Sequence, residues 1–287
     1  MRKLKPKILI FPKRTKGKMK NIFVLFTLFL FLLNMSAKAQ SSNPCVQDTA
    51  FHIVILGSST AAGTGASPSD SSWVNRYRTY LQSLNPNYQV TNLAVGGYTT
   101  YRIMPSWYTS PSNRPAVVPT NNITAAVALN PDAIIINLPS NDVSMGFSVA
   151  EQLDNFDTIA AVADSAGIPL WVCTTQPKNY SDPVRIQRQM DVRDSLTARF
   201  SPLIIDFWTG LADSTNQIDP FYDSGDGTHL NNNGHFLLFT RARDTDLPGQ
   251  LYQGPGFVDV TPFRATPLNG LPCGEAMTFV EVVLLNK

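Results

Sequence analysis

The stretch "VILGSSTAAGTGA", residues 54–66, decides how the chain is read. It is an apolar run that stops at a glycine and dissolves into small hydroxyl residues with no bulky side chain. In an open α/β sheet, ligands bind beyond the carboxyl ends of the strands. If 52–56 is a buried strand, this glycine stretch sits at such an end. It then either cradles a phosphate or presents a serine.

The surrounding pattern supports an α/β fold. Runs 52–56, 88–93, 133–138, 170–174 and 203–207 read as strands, and several are short, β-branched and apolar on both faces, as buried parallel strands should be. Helical patterns fall between and after them, at 72–84, 123–129, 149–166, 183–200 and 233–243. Asp182 followed by Pro183 reads as a cap and first turn. Gly167 followed by Pro169 reads as a helix stop. The rhythm predicts a flavodoxin-like three-layer α/β/α sandwich around a central five-stranded parallel sheet.

Both ends of the chain differ from this centre. Residues 1–39 hold ten of the 23 basic side chains and no acidic one, and residues 22–33 read IFVLFTLFLFLL. Ala37-Lys38-Ala39 follows, so 1–39 is expected to be a secretory signal cut before Gln40. The apolar run is shorter than the roughly 20 residues of a membrane span, and an uncleaved anchor is the alternative. Met19 offers a second start for that signal. Without residues 1–39 the formal charge turns from +2 to about −8, because all 21 acidic residues remain. A basic surface for nucleic acid therefore disappears. The remaining 248 residues are expected to divide into a main domain at 40–246 and an extension at 247–287 that packs on it. Its last run, MTFVEVVLLNK, reads as an added edge strand or a docking segment. Cys173 reads as a buried free thiol, whereas Cys45 and Cys273 flank the domain and are candidates for a staple in an exported protein. No histidine or cysteine cluster has metal-site spacing, and no cofactor is called for.

Phosphate cradling fits poorly. No lysine follows the glycines as a Walker loop requires, and the second strand, YQVTNLA, lacks the acid of a dinucleotide site. A presented serine needs a histidine to take its proton. His52 opens the first strand and is badly placed. His229 and His235 both lie in "DGTHLNNNGH", residues 226–235. His229 stands three residues after Asp226, a spacing that lets the carboxylate fold back on the imidazole. His235 falls inside the next helix and reads as a packing or surface residue.

These residues resemble the SGNH, or GDSL-type, hydrolase family, whose four short blocks have counterparts here in order. They are Gly57-Ser58-Ser59, then "NLAVGGYTT" at 92–100, then Pro139-Ser140-Asn141-Asp142, then Asp226 with His229. The resemblance implies Ser59 as nucleophile, His229 as base, Asp226 as its orienting carboxylate, and an oxyanion hole from the Ser59 N–H, the Gly97 N–H and the Asn141 side chain. Each such donor is typically worth about 3 kcal/mol of barrier. Two positions depart from the family pattern. Ser58 stands where an Asp is usual and is a rival to Ser59, and Pro139 stands where a glycine is usual. Asp142 reads as structural, since a carboxylate there would repel developing negative charge.

Residues 100–121 hold four prolines and interrupt the βα rhythm, which suggests a lid or binding wall. Tyr98, Tyr101, Trp107 and Tyr108 on or beside this segment are candidate faces for a sugar ring. Arg102 and Arg114 either steer an acidic substrate or solvate the loop. Taken with export, the resemblance implies an esterase that removes O-acetyl groups from a carbohydrate. A lysophospholipase or thioesterase of the same fold, and a catalytically silent glycan-binding surface protein, are the competing readings.

Overall fold

The computed structural model describes residues 50–138 and 140–252. Cys45, Cys273, Pro139, the 1–39 segment and nearly all of the 247–287 extension lie outside the described residues. Among those described, no helix is long and apolar enough to cross a membrane.

In chain order the elements are β1 (His52–Gly57), α1 (Ser59–Ala62), α2 (Trp73–Leu84), β2 (Gln89–Asn92), α3 (Ile123–Ala128), β3 (Ala133–Asn137), α4 (Asn141–Ser144), α5 (Val149–Ser165), β4 (Leu170–Cys173), α6 (Pro183–Phe200), β5 (Ile204–Ile205), α7 (Asn232–Asp244) and α8 (Leu247–Tyr252). The five strands pair in parallel in the order β2-β1-β3-β4-β5. This is the flavodoxin-like order, which reverses direction between β1 and β3.

Alternation along the strands builds two cores. Val54, Leu56, Ile134, Ile136 and Val172 face one side, against Ile123 of α3, Phe156 and Ile159 of α5, and Val192 and Leu196 of α6. Ile53, Ile55, Ile135, Trp171 and Ile205 face the other, against Trp73, Tyr77 and Leu81 of α2 and Leu238 and Ala242 of α7. Because both faces are covered, strands such as Ala-Ile-Ile-Ile-Asn in β3 are buried at every residue. Each fully buried aliphatic side chain contributes roughly 1.5–3 kcal/mol. Cys173 is a buried free thiol on the α2/α7 side, where burial pushes its pKa up.

Local signals set the helix starts and stops. Ser72 accepts from the Asn75 N–H at the head of α2, and Ser148 and Glu151 form a reciprocal capping box on α5. Asp182 caps α6 with Pro183 in its first turn. Past α5, Gly167 N donates to Asp164 O and closes that helix.

Four elements differ from the sequence reading. The last strand is only two residues long, because Asp206 Oδ1 accepts from the Trp208 and Thr209 N–H groups and turns the chain. The glycine stretch contains a four-residue helix, α1, and another, α4, begins at Asn141. Leu247 begins the short helix α8 and is itself buried in the α2/α7 core.

Candidate active site

The reversal of strand order places the ends of β1 and β3 side by side. Gly57 ends β1, and a Cβ there would lie 2.5 Å from the Asn137 carbonyl oxygen at the end of β3 and 2.8 Å from Ala61 Cβ. Only glycine lets the chain turn so tightly from strand into α1, which begins at Ser59. Asn92 Nδ2 donates to Ala61 O at 2.7 Å, and Gln176 donates to the Thr60 hydroxyl. The turn is thus held from β2 and from the loop after β4.

Ser59 Oγ lies 3.0 Å from His229 Nε2, and His229 Nδ1 lies 2.6 Å from Asp226 Oδ2. The second carboxylate oxygen, Asp226 Oδ1, accepts from the backbone N–H groups of Thr228 and His229. Burial alone raises the Asp226 pKa, but the hydrogen bonds from the His229 ring and from these two amides outweigh it. The carboxyl is held far below the usual carboxylate range. The carboxylate therefore stays ionised and fixes the imidazole with Nε2 turned to the serine.

Ser58 takes no part in this relay. Its side chain is fully buried, and its hydroxyl accepts from Asn141 Nδ2 at 2.7 Å. The same nitrogen donates to the Tyr98 carbonyl oxygen at 2.8 Å. Both Asn141 amide protons are thus engaged in the resting structure, and an oxyanion must share or displace one of these acceptors. Among the described residues, neither the Ser59 N–H nor the Gly97 N–H donates to a protein acceptor. Gly97 has φ +78°, and a Cβ there would meet no atom within 4 Å. Glycine is required at this position by backbone conformation.

Asp142 is buried beneath the site. It accepts from the Thr100 N–H and, at 2.5 Å, from the Thr100 hydroxyl, which in turn accepts from Asn155 Nδ2. Desolvation pushes its carboxyl up to about 7, against the lowering effect of these bonds. This network ties the start of the long loop to α4 and α5.

His235 is also buried. Its Nδ1 accepts from Trp73 N–H, which fixes the proton on Nε2 for donation to Thr64 O at 3.0 Å. Desolvation lowers its pKa, which favours this neutral form. It braces the turn that follows Ser59 against α2. His52 is away from the site, with Nε2 2.8 Å from Thr91 Oγ1.

The aromatic candidates separate. Tyr101, only 4% exposed, packs edge-on to Phe147 and donates its hydroxyl to Glu151, so it offers no face to a ligand. This corrects the reading of Tyr101 as a sugar platform: the turn at Thr100–Ile103 directs it into the core. Tyr98 is likewise in that core. Tyr108 is half-buried, whereas Trp107 is 70% exposed. Arg114 pairs with Glu151 and lies over the Phe147 ring at 4.4 Å, and Arg102 donates to the Ala116 carbonyl. Both arginines therefore hold the loop.

Sequence reasoning missed the bracing roles of Asn155, Gln176 and Asn179. Asn179 N donates to Gly227 O, its Oδ1 accepts from the Ile218 N–H, and its Nδ2 donates to Asp223. Nothing in the local sequence marks them, because each bonds to a residue more than 35 positions away.

A hydroxyl, an imidazole and a carboxylate in series at the switch point of a flavodoxin-like sheet define a class of carboxylic ester hydrolases. The chain belongs to the GDSL-like Lipase/Acylhydrolase family, whose model matches residues 55–237. Solved structures share the fold at low identity. One is a lipase/acylhydrolase from Enterococcus faecalis, 18% identical, with a TM-score of 0.52 over 68% of this chain and 94% of that one. Another is the psychrotrophic esterase EstA from a Pseudoalteromonas species, in a structure inhibited by monoethylphosphonate, at 17%, 0.50, 70% and 98%. A third is the acetyl xylan esterase AlAXEase at 15%, 0.50, 69% and 100%. No curated protein matches the chain by sequence.

Proposed function

We propose that the chain is an exported serine esterase that removes O-acetyl groups from a carbohydrate, with Ser59, His229 and Asp226 as its catalytic residues. The observation that carries the chemistry is the unbroken series from Ser59 Oγ through His229 to Asp226, at 3.0 and 2.6 Å.

Ser59 Oγ attacks the acetyl carbonyl carbon as its proton passes to His229 Nε2. Negative charge develops on the carbonyl oxygen. The N–H groups of Ser59 and Gly97 are free to receive it, joined by Asn141 when its amide leaves one resting acceptor. The C–O bond to the sugar breaks as His229 returns the proton to the departing alcohol oxygen. A water then repeats the sequence on the acetyl-serine, giving acetate and free enzyme. Asp226 stays ionised throughout and stabilises the imidazolium.

The carbohydrate reading rests on the exposed Trp107 ring on the long loop and on the signal-like composition of residues 1–39. Residues 40–246 form the catalytic domain in this reading, followed by the 247–287 extension. A lysophospholipase or thioesterase on the same fold is the competing enzyme, and a silent glycan binder the competing non-enzyme. Acetate release from acetylated xylo-oligosaccharide, set against fatty-acid release from a lysophospholipid and from an acyl thioester, separates the two enzymes. Failure of a fluorophosphonate to label the wild-type protein favours the silent binder. Sequencing of the exported protein should find Gln40 at its N-terminus.

A further inference from the structure

Lys178 is the only lysine among the described residues, although the chain has ten. It lies on the loop between β4 and α6, at the same end of the sheet as Ser59. On one side, its Nζ donates to the Ser144 hydroxyl at 3.1 Å. Ser144 ends α4, the single turn of helix that starts at Asn141. On the other side, the next residue, Asn179, donates its backbone N–H to Gly227 O at 2.8 Å, inside the Asp226–His229 turn. Lys178 and Asn179 together therefore link the element that carries Asn141 to the turn that carries Asp226 and His229.

Its charge has no partner of its own. Among the described residues no carboxylate lies within ion-pair distance of Nζ, whereas its neighbour Arg185 lies 3.8 Å from Asp182 Oδ2. The ammonium is half-buried, lies over the Tyr180 ring at 5.6 Å and feels Arg185 as a second cation. Burial and Arg185 both disfavour its charge, and Asp226 offsets them only in part. The Ser144 bond uses one of its three donors, leaving two. Its anionic neighbour Asp226 is already bonded to His229, so the half-buried ammonium keeps two donors open to a further anion.

We propose that Lys178 selects substrates whose alcohol portion carries an acidic group, namely acyl esters of a uronate-type sugar. It adjoins the turn that carries His229, which protonates the leaving alcohol, so the anion belongs on that portion rather than on the acyl group. This inference rests on the ester-hydrolase reading above and names its substrate class.

The test uses acetylated glucuronic acid oligosaccharides and the same compounds with their carboxyls converted to amides, which removes charge without adding an ester. The wild-type protein should release acetate from the acidic form with a kcat/KM at least tenfold higher, and the preference should shrink as salt screens the pair. Lys178→Gln should erase the preference, mainly through a higher KM for the acidic form. Lys178→Arg should keep most of the preference. Equal wild-type rates on the acidic and amidated forms overturn the proposal. So does a Lys178→Gln variant that loses the same factor on every substrate, which marks Lys178 as a brace for Ser144. A wild-type protein inactive on p-nitrophenyl acetate and unlabelled by fluorophosphonate overturns the esterase reading itself and is distinguished from both.

Discussion

The Ser58 hydroxyl sits 2.7 Å from the Asn141 amide nitrogen, so the residue beside the proposed nucleophile, Ser59, holds a proposed oxyanion donor by an uncharged acceptor. The family pattern has a carboxylate there. A neutral hydroxyl grips the amide more weakly and adds no negative charge where an oxyanion must form. Because Ser58 and Ser59 point to different partners, the two can be told apart by substitution.

Ser59→Ala should abolish fluorophosphonate labelling. Ser58→Ala should keep it but lower kcat about three- to tenfold, because Asn141 loses a hydrogen bond worth about 0.5–1.5 kcal/mol. The reverse pattern assigns the nucleophile to Ser58. Steady-state kinetics on p-nitrophenyl acetate, with labelling of each variant, provides the check.

Asp226→Asn should lower kcat by between about 10² and 10⁴, because the amide no longer enforces the tautomer that turns Nε2 to Ser59. Labelling of Ser59 should slow in parallel, while thermal stability changes little, since half of the Asp226 side chain is exposed.

Gly65→Ala should destabilise the fold by roughly 3 kcal/mol or more. Gly65 has φ +93°, and a Cβ there would lie 2.1 Å from Leu230 O and 3.3 Å from His229 Cβ. The damage should reach His229, so activity should fall at temperatures where the variant is still folded. Calorimetry and kinetics at matched temperatures separate the two losses.

Asp142 gives a pH signature. Its folded-state pKa is raised from 3.8 to about 7. Between those values the native state holds a proton that the unfolded state has released, so its contribution to stability falls as pH rises through this window. Asp142→Asn has no such proton. The stability of the wild type relative to Asp142→Asn should decline from pH 4 to pH 7 and then level off. Urea unfolding of both proteins across that range measures the difference and cancels every group they share.

Much of the fold is visible in the sequence where burial is two-sided. β3 and β4 announce themselves by the apolar runs Ala133–Ile136 and Leu170–Cys173, because helices cover both faces of the sheet. The stop at Gly57, the cap at Asp182 and the spacing of Asp226 from His229 are local chemistry, readable residue by residue. α1 and α4 are not legible, since four residues are too few to establish a helical period. Tyr101 misleads because an aromatic in a proline-rich loop looks the same whether it faces solvent or core. Only the turn at Thr100–Ile103, held by Asp142 from 42 residues away, settles its direction. His235 shows the same limit, since its partners, Trp73 and Thr64, come from the other end of the domain.

Ser59 and His229 are 170 residues apart in the chain. A nascent polypeptide that has displayed the hydroxyl must wait for nearly the whole domain to be synthesised before the imidazole arrives. Without the turn that carries His229, Ser59 is a serine with no base beside it. In the proposed reading, hydrolysis therefore requires both ends of the domain to have folded together.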